Sequence, residues 1–162
     1  PKDAQPLFLE RVDPKKKEKI QEFLSYPEDS AGRIMSPDFL AFHSDLKVKE
    51  AYQKIRLIAQ KKGDPSSYVY VIDPQHHLVG VLNMRDMMLA SPDDMLQTIM
   101  RKEVFSINCF ADRESVAAEL SRRRYFAAPV VDNENRLLAD IKADQMIDDV
   151  KRLLSNFQMA LL

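Results

Sequence analysis

The sequence predicts an α+β fold made of two copies of one small strand–helix–strand–strand–helix unit. Ile34-Met35 recurs as Ile99-Met100, and a short apolar run follows each pair. Each copy then continues with helical periodicity and with two β-rich runs around a polar turn. Because a unit of about 60 residues cannot bury both faces of a three-stranded sheet, we expect the copies to pack on each other pseudo-symmetrically.

The first copy, over residues 32–95, contains every element of the unit. The apolar run 39–42 predicts its first strand, and apolar positions at 3.6-residue spacing between Val48 and Ala59 predict the helix that follows. Two β-rich runs flank the polar turn 73–77 and predict a hairpin. The amphipathic segment Met84 to Ala90 predicts the closing helix.

The second copy, over residues 96–152, repeats this order with shorter elements. The run 104–107 predicts its first strand, and the apolar positions Val116, Ala117 and Leu120 predict a helix. A hairpin is predicted around the turn 132–135, and a closing helix follows from Ala143 to Leu154.

Helices are predicted outside the repeats as well. Asp13-Pro14 is typical of a helix start and precedes the amphipathic stretch Lys15 to Leu24. An apolar stripe runs from Ile147 to Leu161 and needs a partner. Since the chain begins without Met and ends on apolar residues, we expect it to be a fragment of a longer protein.

Composition argues against several classes of function. With 24 Lys+Arg against 25 Asp+Glu, the net charge of −1 predicts no nucleic-acid partner. The single cysteine, Cys109, is expected to be a buried thiol in a reducing compartment. Only three glycines are present, and no nucleophile lies beside a base, so the sequence predicts no enzyme.

The twofold pattern resembles a Bateman module, a pair of CBS domains. Four segments are further similar to MgtE-type magnesium transporters: Tyr26 to Met35, Leu78 to Asp86, Asp112 to Ala117 and Pro129 to Asp132. The resemblance implies a helical remnant of an N-terminal domain plus linker at 1–31, CBS domain 1 at 32–95, CBS domain 2 at 96–152, and at 153–162 the start of a helix leading to a membrane domain.

The family resemblance also implies a function. It predicts a cytosolic regulatory domain that senses Mg²⁺, and an adenine nucleotide such as ATP, in order to gate transport. Its implied partners are a second copy in a homodimer and the transmembrane domain of the same chain, on the cytoplasmic side of the inner (plasma) membrane. The alternative is a nucleotide-sensing CBS pair that regulates a soluble enzyme or acts as a stand-alone adaptor; in either case the ligand is a small molecule or an ion.

For the metal, the resemblance implies a carboxylate group that a hard divalent cation would bring together. The implied acids are Asp112, Glu114, Asp144 and Asp148. Mg²⁺ binding is expected to be weakened because the family pattern is acidic at three positions that here hold Arg124, Gln145 and Asn156. Alternatively, the acids are ordinary helix caps and surface residues.

For the nucleotide, Gly80 to Asp86 fits the spacing Gly-x-x-Ser/Thr-x-x-Asp, with Asn83 in place of the hydroxyl residue. In CBS domains the carboxylate at this turn accepts hydrogen bonds from the ribose hydroxyls. The resemblance implies five lining residues: Tyr68, Arg85, Asp86, Tyr125 and Pro129. Alternatively, Asp86 only caps the next helix and Tyr68 belongs to the core.

The second copy is expected to have lost its equivalent nucleotide site. Ala139, Lys142 and Gln145 stand where the motif would need Gly, Ser or Thr, and Asp. The sequence therefore predicts one nucleotide site at most.

Overall fold

The computed structural model describes residues 14–62 and 68–146. In chain order, a flanking helix and a short linker helix come first, and the mixed α/β elements of the first unit follow; Phe23 and Ala31 of these two helices are buried in the core of the second unit. These elements are α1 (Pro14–Leu24), α2 (Ala31–Ile34), β1 (Leu40–His43), α3 (Val48–Lys62), β2 (Tyr68–Ile72), β3 (Leu78–Asn83) and α4 (Met84–Leu89).

The second unit repeats this order. Its elements are α5 (Leu96–Ile99), β4 (Ile107–Asn108), α6 (Arg113–Arg123), β5 (Ala127–Val131), β6 (Leu137–Lys142) and a 3₁₀ turn (Ala143–Met146). The closing helix predicted from Ala143 begins as this 3₁₀ turn, a tighter geometry that is common at helix ends. The rest of that prediction, and the C-terminal stripe, lie outside the described residues.

Each unit has its own three-stranded sheet, in the order β1-β2-β3 and β4-β5-β6. The first two strands of each sheet are parallel, and the last two form an antiparallel hairpin. The central strands β2 and β5 are buried over four of their five residues, which explains why they are continuous apolar runs. The order strand–helix–strand–strand is therefore confirmed in both copies. The first strand of the second copy is shorter and later than predicted: the apolar run 104–107 contributes only Ile107, because β4 pairs with β5 only through Ile107 and Asn108.

The helices cover one face of each sheet through apolar positions one turn apart. Val48, Ala51 and Ile55 of α3 are buried in the first core. Val116, Ala117 and Leu120 of α6 are buried in the second. These are the positions at which the helical periodicity of the sequence places apolar residues, so local pattern and tertiary packing agree.

The segment that leads into each unit pairs with the last strand of the other unit's sheet, an arrangement called here the exchange of sheet edges. The residue just after the first Ile-Met pair, Ser36, bridges to Asp140 in β6, and Arg101, just after the second pair, bridges to Val81 in β3. The hairpins also meet, because Leu78 N donates to Asn135 O and Leu137 N donates to His76 O, both at 3.0 Å. These paired contacts follow a pseudo-twofold relation.

A third apolar cluster lies between the two units. Its buried members come from both hairpins: Tyr70, Ile72, Leu78, Val131 and Leu137. The prediction that the copies pack on each other is confirmed, since neither hairpin could bury these side chains alone. Within 14–62 and 68–146, no helix is long and apolar enough to cross a membrane.

Candidate functional site

The turn from β3 into α4 is a capping box. Asn83 Oδ1 accepts from the Asp86 amide at 2.7 Å, and Asp86 Oδ2 accepts from the Asn83 amide at 3.4 Å. Each residue satisfies an amide that the first turn of a helix would otherwise leave unpaired. The capping role considered for Asp86 is thus present, and Asn83 supplies the hydrogen bond that Ser or Thr would make.

Arg101 occupies the outer face of the same carboxylate. Its Nε lies 3.2 Å from Asp86 Oδ2 and its Nη2 lies 3.3 Å from Oδ1, so two guanidinium nitrogens each contact one carboxylate oxygen. The backbone of Arg101 is fixed by two 3.0 Å hydrogen bonds with Val81. A ribose that used Asp86 would therefore have to displace a bidentate arginine contact.

Sequence reasoning missed Arg101, although the repeat contains a signal for it. Arg101 follows Ile99-Met100 as Ser36 follows Ile34-Met35. Once one leading segment is known to lie on the other unit's sheet, the repeat places Arg101 beside the end of β3.

Gly80 has a packing reason to be glycine. A Cβ added there would lie 2.7 Å from Met100 Cγ, well inside van der Waals contact. The glycine of the nucleotide-type spacing thus allows the second unit's leading segment to cross β3 closely. This packing role requires no ligand.

The two tyrosines among the nucleotide candidates, Tyr68 and Tyr125, lie near the capping box and near Phe105, respectively. Tyr68 begins β2 opposite Asn83, so it lies beside the capping box. Tyr125 packs on Phe105 with ring centroids 6.0 Å apart. Because Arg101 contacts Asp86 and Phe105 contacts Tyr125, the segment 101–105 reaches both the candidate carboxylate and one of the candidate aromatic residues.

The other two candidates differ in exposure. Arg85 is exposed on the first turn of α4 and is available to an anionic group. Pro129 is buried in the middle of β5, opposite Asp140. Pro129 can therefore form a wall of a cleft, whereas Arg85 can move toward a ligand.

The corresponding place in the second unit is filled by an internal ionic network. Lys142, which occupies the register position of Asn83, has its Nζ 3.1 Å from Asp140 Oδ1 and 3.3 Å from Oδ2. The same ammonium donates to the carbonyl of Asp38 at 2.6 Å. Tyr70 of the first unit donates its hydroxyl to Asp140 Oδ2 at 3.2 Å.

Asp140 is completely buried, which makes this network sensitive to its partners. Desolvation raises the pKa of the carboxyl, while the Lys142 ammonium opposes that rise. Burial, together with the charge of Asp140, also raises the pKa of the Tyr70 phenol, which keeps it a hydrogen-bond donor. The network therefore depends on Lys142 and Tyr70 from opposite sides of the seam.

The structure describes three of the four candidate metal residues, Asp112, Glu114 and Asp144. Asp112 caps α6, accepting from the Ser115 amide at 3.2 Å, and Glu114 lies in the first turn of the same helix. Asp144 lies in the 3₁₀ turn, which contacts α6, and Asp148 lies outside the described residues. In the described part of the chain, no group of three or more His, Cys, Asp or Glu side chains could hold a metal ion.

Two of the three residues that replace acids of the family pattern, Arg124 and Gln145, are described by the structure. Arg124 is the C-cap of α6, with a left-handed φ of 56°, and it is exposed. It therefore lies at the opposite end of that helix from Asp112 and Glu114 and faces solvent. Gln145 is an exposed residue of the 3₁₀ turn. Asn156 lies outside the described residues.

Comparison with known proteins decides the family. The CBS domain family profile matches residues 31–93. The magnesium transporter MgtE of Bacillus subtilis (strain 168) is 35% identical over 133 residues, covering 82% of this chain and 29% of the transporter. The chain is a CBS-domain pair of the MgtE type. MgtE of Thermus thermophilus is 30% identical over 147 residues, covering 88% of the pair and 32% of that transporter.

Solved structures agree with this assignment. The MgtE-type pair matches the cytosolic domain of the Mg²⁺ channel MgtE in complex with ATP, with a TM-score of 0.79 and 30% identity over 86% of the pair and 56% of that chain. It matches the soluble part of a magnesium transporter with a TM-score of 0.84 and 28% identity, covering 94% of the pair and 59% of that chain. The pair spans about a third of the curated transporters' length.

Proposed function

We propose that this CBS pair is the cytosolic regulatory part of a magnesium transporter and that it senses Mg²⁺ and an adenine nucleotide. The observation that carries the proposal is identity of 30–35% to MgtE transporters over 82–88% of the chain. This supports the transporter role over the alternative of a regulator of a soluble enzyme. The proposed role is non-catalytic, since a regulatory ligand acts only through different affinities for two arrangements of the protein.

The nucleotide would bind along the seam at the end of β3. In this proposal, Asp86 accepts from the ribose hydroxyls, Tyr68 and Tyr125 contact the base, Arg85 meets phosphate, and Pro129 forms a wall. The capping box supports it by fixing the Asp86 carboxylate at the helix start. Arg101, which now holds that carboxylate, must move when the ribose binds.

The regulatory ion would be Mg²⁺, bound through its retained waters by carboxylates from two parts of the chain. Asp112 and Glu114 supply two carboxylates at the start of α6, and Asp144 and Asp148 follow β6. A homodimer supports such a site, because a facing copy would double the number of carboxylates. The cation at Arg124 makes the expected affinity lower than in a fully acidic site.

The partner in the same chain would be a transmembrane domain, with this pair on the cytoplasmic side of the membrane. A shift between two arrangements of the CBS pair would then be transmitted to the pore. The gene region after Leu162 tests this directly: hydrophobic segments of spanning length support it, and a stop codon or a catalytic domain contradicts it.

Thermal melting tests Mg²⁺ sensing in the chain itself. Millimolar Mg²⁺ is expected to raise Tm by about 2–4 °C, corresponding to about 1 kcal/mol, relative to NaCl of equal ionic strength. The double variant Asp112→Asn/Glu114→Gln should lose the rise. Glu50→Gln, which removes the first-turn acid of α3, should keep it. An equal rise in all three proteins contradicts the site.

A further inference from the structure

A basic cleft lies away from the Asp86 turn, at the hairpin end of the first sheet. It has a volume of about 450 Å³ and is bounded by α1, by the residues before β1, and by the ends of β1 and β2. Four of its lining side chains carry or can carry positive charge: Lys15, Lys19, His43 and His76. Among the described residues, no Asp or Glu side chain lines it.

The basic groups converge because of the backbone that carries them. Lys15 and Lys19 are four residues apart on α1 and share one face of the helix. The Lys19 ammonium lies 5.2 Å from the centroid of the Phe39 ring, which places it over the apolar part of the cleft. His43 is the last residue of β1, across the cleft from α1.

His76 is held in place by both units. Its backbone is left-handed, with φ of 71°, and its amide donates to Asp73 O at 2.9 Å. Its carbonyl accepts from Leu137 of the second unit at 3.0 Å. The second unit therefore helps to hold the turn that carries His76.

The nearest hairpin carboxylate is directed elsewhere. Asp73 accepts from the Gln75 amide at 3.0 Å and from the His77 amide at 2.8 Å, and it lies 3.0 Å from His77 Nδ1. It forms the turn and pairs with the neighbouring histidine. His43 and His76 line the cleft together with Lys15 and Lys19.

The apolar part of the cleft indicates more than an inorganic ion. Phe39 and the buried Ile72 supply a flat apolar surface between the basic side chains. The volume falls within the usual range for small-molecule sites and exceeds what a lone phosphate needs. A ligand that fits both parts has a phosphate at one end and an aromatic or otherwise flat apolar group at the other.

We propose that this cleft binds an aromatic or flat organic phosphate, with Lys19, His43 and His76 around the phosphate and Phe39 against the ring. The site is separate from the one proposed at Asp86 and goes beyond the proposed function. Because His76 depends on the second unit's Leu137, a ligand there also strengthens contact between the two CBS domains.

NMR titration of the histidine Cε1 protons with phenyl phosphate tests the site, since this probe has a ring and a phosphate but no ribose. The resonances of His43 and His76 are expected to shift together along one binding curve. His77, paired with Asp73, serves as the internal reference and is expected to shift less. Inorganic phosphate should bind more weakly than phenyl phosphate because it cannot use Phe39.

Matched variants decide whether the cleft causes the shifts. Lys19→Gln should weaken phenyl phosphate binding about three- to fivefold, as expected for an exposed charge pair. Lys17→Gln removes the same charge from another face of α1 and should leave affinity unchanged, as should Asp86→Asn. Absence of shifts at His43 and His76 at millimolar probe, or equal losses in Lys17→Gln and Lys19→Gln, overturns the proposal.

Discussion

The ends of β3 and β6 occupy equivalent places in the two CBS domains, yet their polar side chains have different partners and different burial. At the end of β3, Asn83 and Asp86 form a capping box, and an exposed arginine from the other unit lies on the carboxylate. At the end of β6, Lys142 pairs with a completely buried Asp140. Both carboxylates thus have a basic partner, but the Arg101–Asp86 pair is partly exposed, at 65% and 23%, whereas the Lys142–Asp140 pair is more buried, at 27% and 0%.

The difference shows how a repeat can keep its fold and lose a site. Asp140 replaces Val81 of the first unit, and Lys142 replaces Asn83. The backbone register is the same in both hairpins. The polar turn of the first unit is thus replaced by an ion pair within the second unit, Lys142–Asp140, which Tyr70 and Asp38 of the first unit contact through hydrogen bonds. Together with the loss of the motif residues at Ala139 and Gln145, this supports the prediction of a single nucleotide site.

Removing Asp140 should have the largest effect on this comparison. Asp140→Ala leaves the Lys142 ammonium and the Tyr70 hydroxyl without their shared partner at the seam, which is expected to cost about 3–5 kcal/mol. Urea unfolding measures the loss. Glu134→Ala, in the exposed turn of the same hairpin, should change stability by no more than about 0.5 kcal/mol. Similar losses in both variants would contradict a special role for Asp140.

Gly80 and its counterpart Ala139 offer a second test. Gly80→Ala forces Met100 to move and is expected to cost about 1–3 kcal/mol. Ala139 already holds a Cβ in a buried place, and Ala139→Gly should cost about 0.5–1 kcal/mol through backbone entropy. Thermal or urea unfolding of both variants distinguishes them, and an unchanged stability in Gly80→Ala would show that Met100 moves freely.

Replacing Arg101 should have the smallest effect on stability and should change the affinity for adenosine. Arg101→Met removes the competitor for Asp86 and is expected to increase the affinity for adenosine about two- to fivefold, the range of an exposed ion pair. Adenosine lacks phosphate, so the measurement by calorimetry isolates the ribose contact. Arg136→Met, which breaks an exposed pair with Glu134, is the control. Unchanged adenosine affinity would place the ribose elsewhere.

The pH dependence of stability tests the buried carboxylate of Asp140 in β6. Because burial raises the pKa of Asp140 in the folded state above its ordinary value of 3.8, the folded protein binds this proton more tightly. Its contribution to stability therefore grows as pH falls through the raised pKa and levels off below 3.8. Asp140→Asn removes this contribution, so the stability of wild type relative to Asp140→Asn should increase on acidification. A constant difference between pH 7 and pH 4 would contradict the raised pKa.

Much of the fold was predictable because it is encoded locally and twice. The repeat of Ile-Met pairs, the helical apolar spacing and the two hairpins each point to the same unit. The packing of the copies followed from the small size of one unit. The helix at Ala143 was predicted less accurately, because helix periodicity does not distinguish a 3₁₀ start from an α-helix.

The site was less predictable because its partners are distant in sequence. The motif spacing found Asp86, but Arg101 reaches it only through the exchange of sheet edges. The Tyr70–Asp140–Lys142 network was missed for the same reason, since Tyr70 and Asp140 come from different units. Single-sequence patterns identify which residues share a strand face, but they do not identify which strand faces which.

The exchange of sheet edges has a consequence for how the pair melts. Ser36 completes the edge of the second unit and Arg101 that of the first, so neither unit possesses all of its own border. Expressed separately, each half would leave a strand edge without its hydrogen-bonding neighbour and an apolar hairpin in water. We expect the two halves to unfold in one cooperative transition. A structural change in one half should alter the other directly through the shared strand edges.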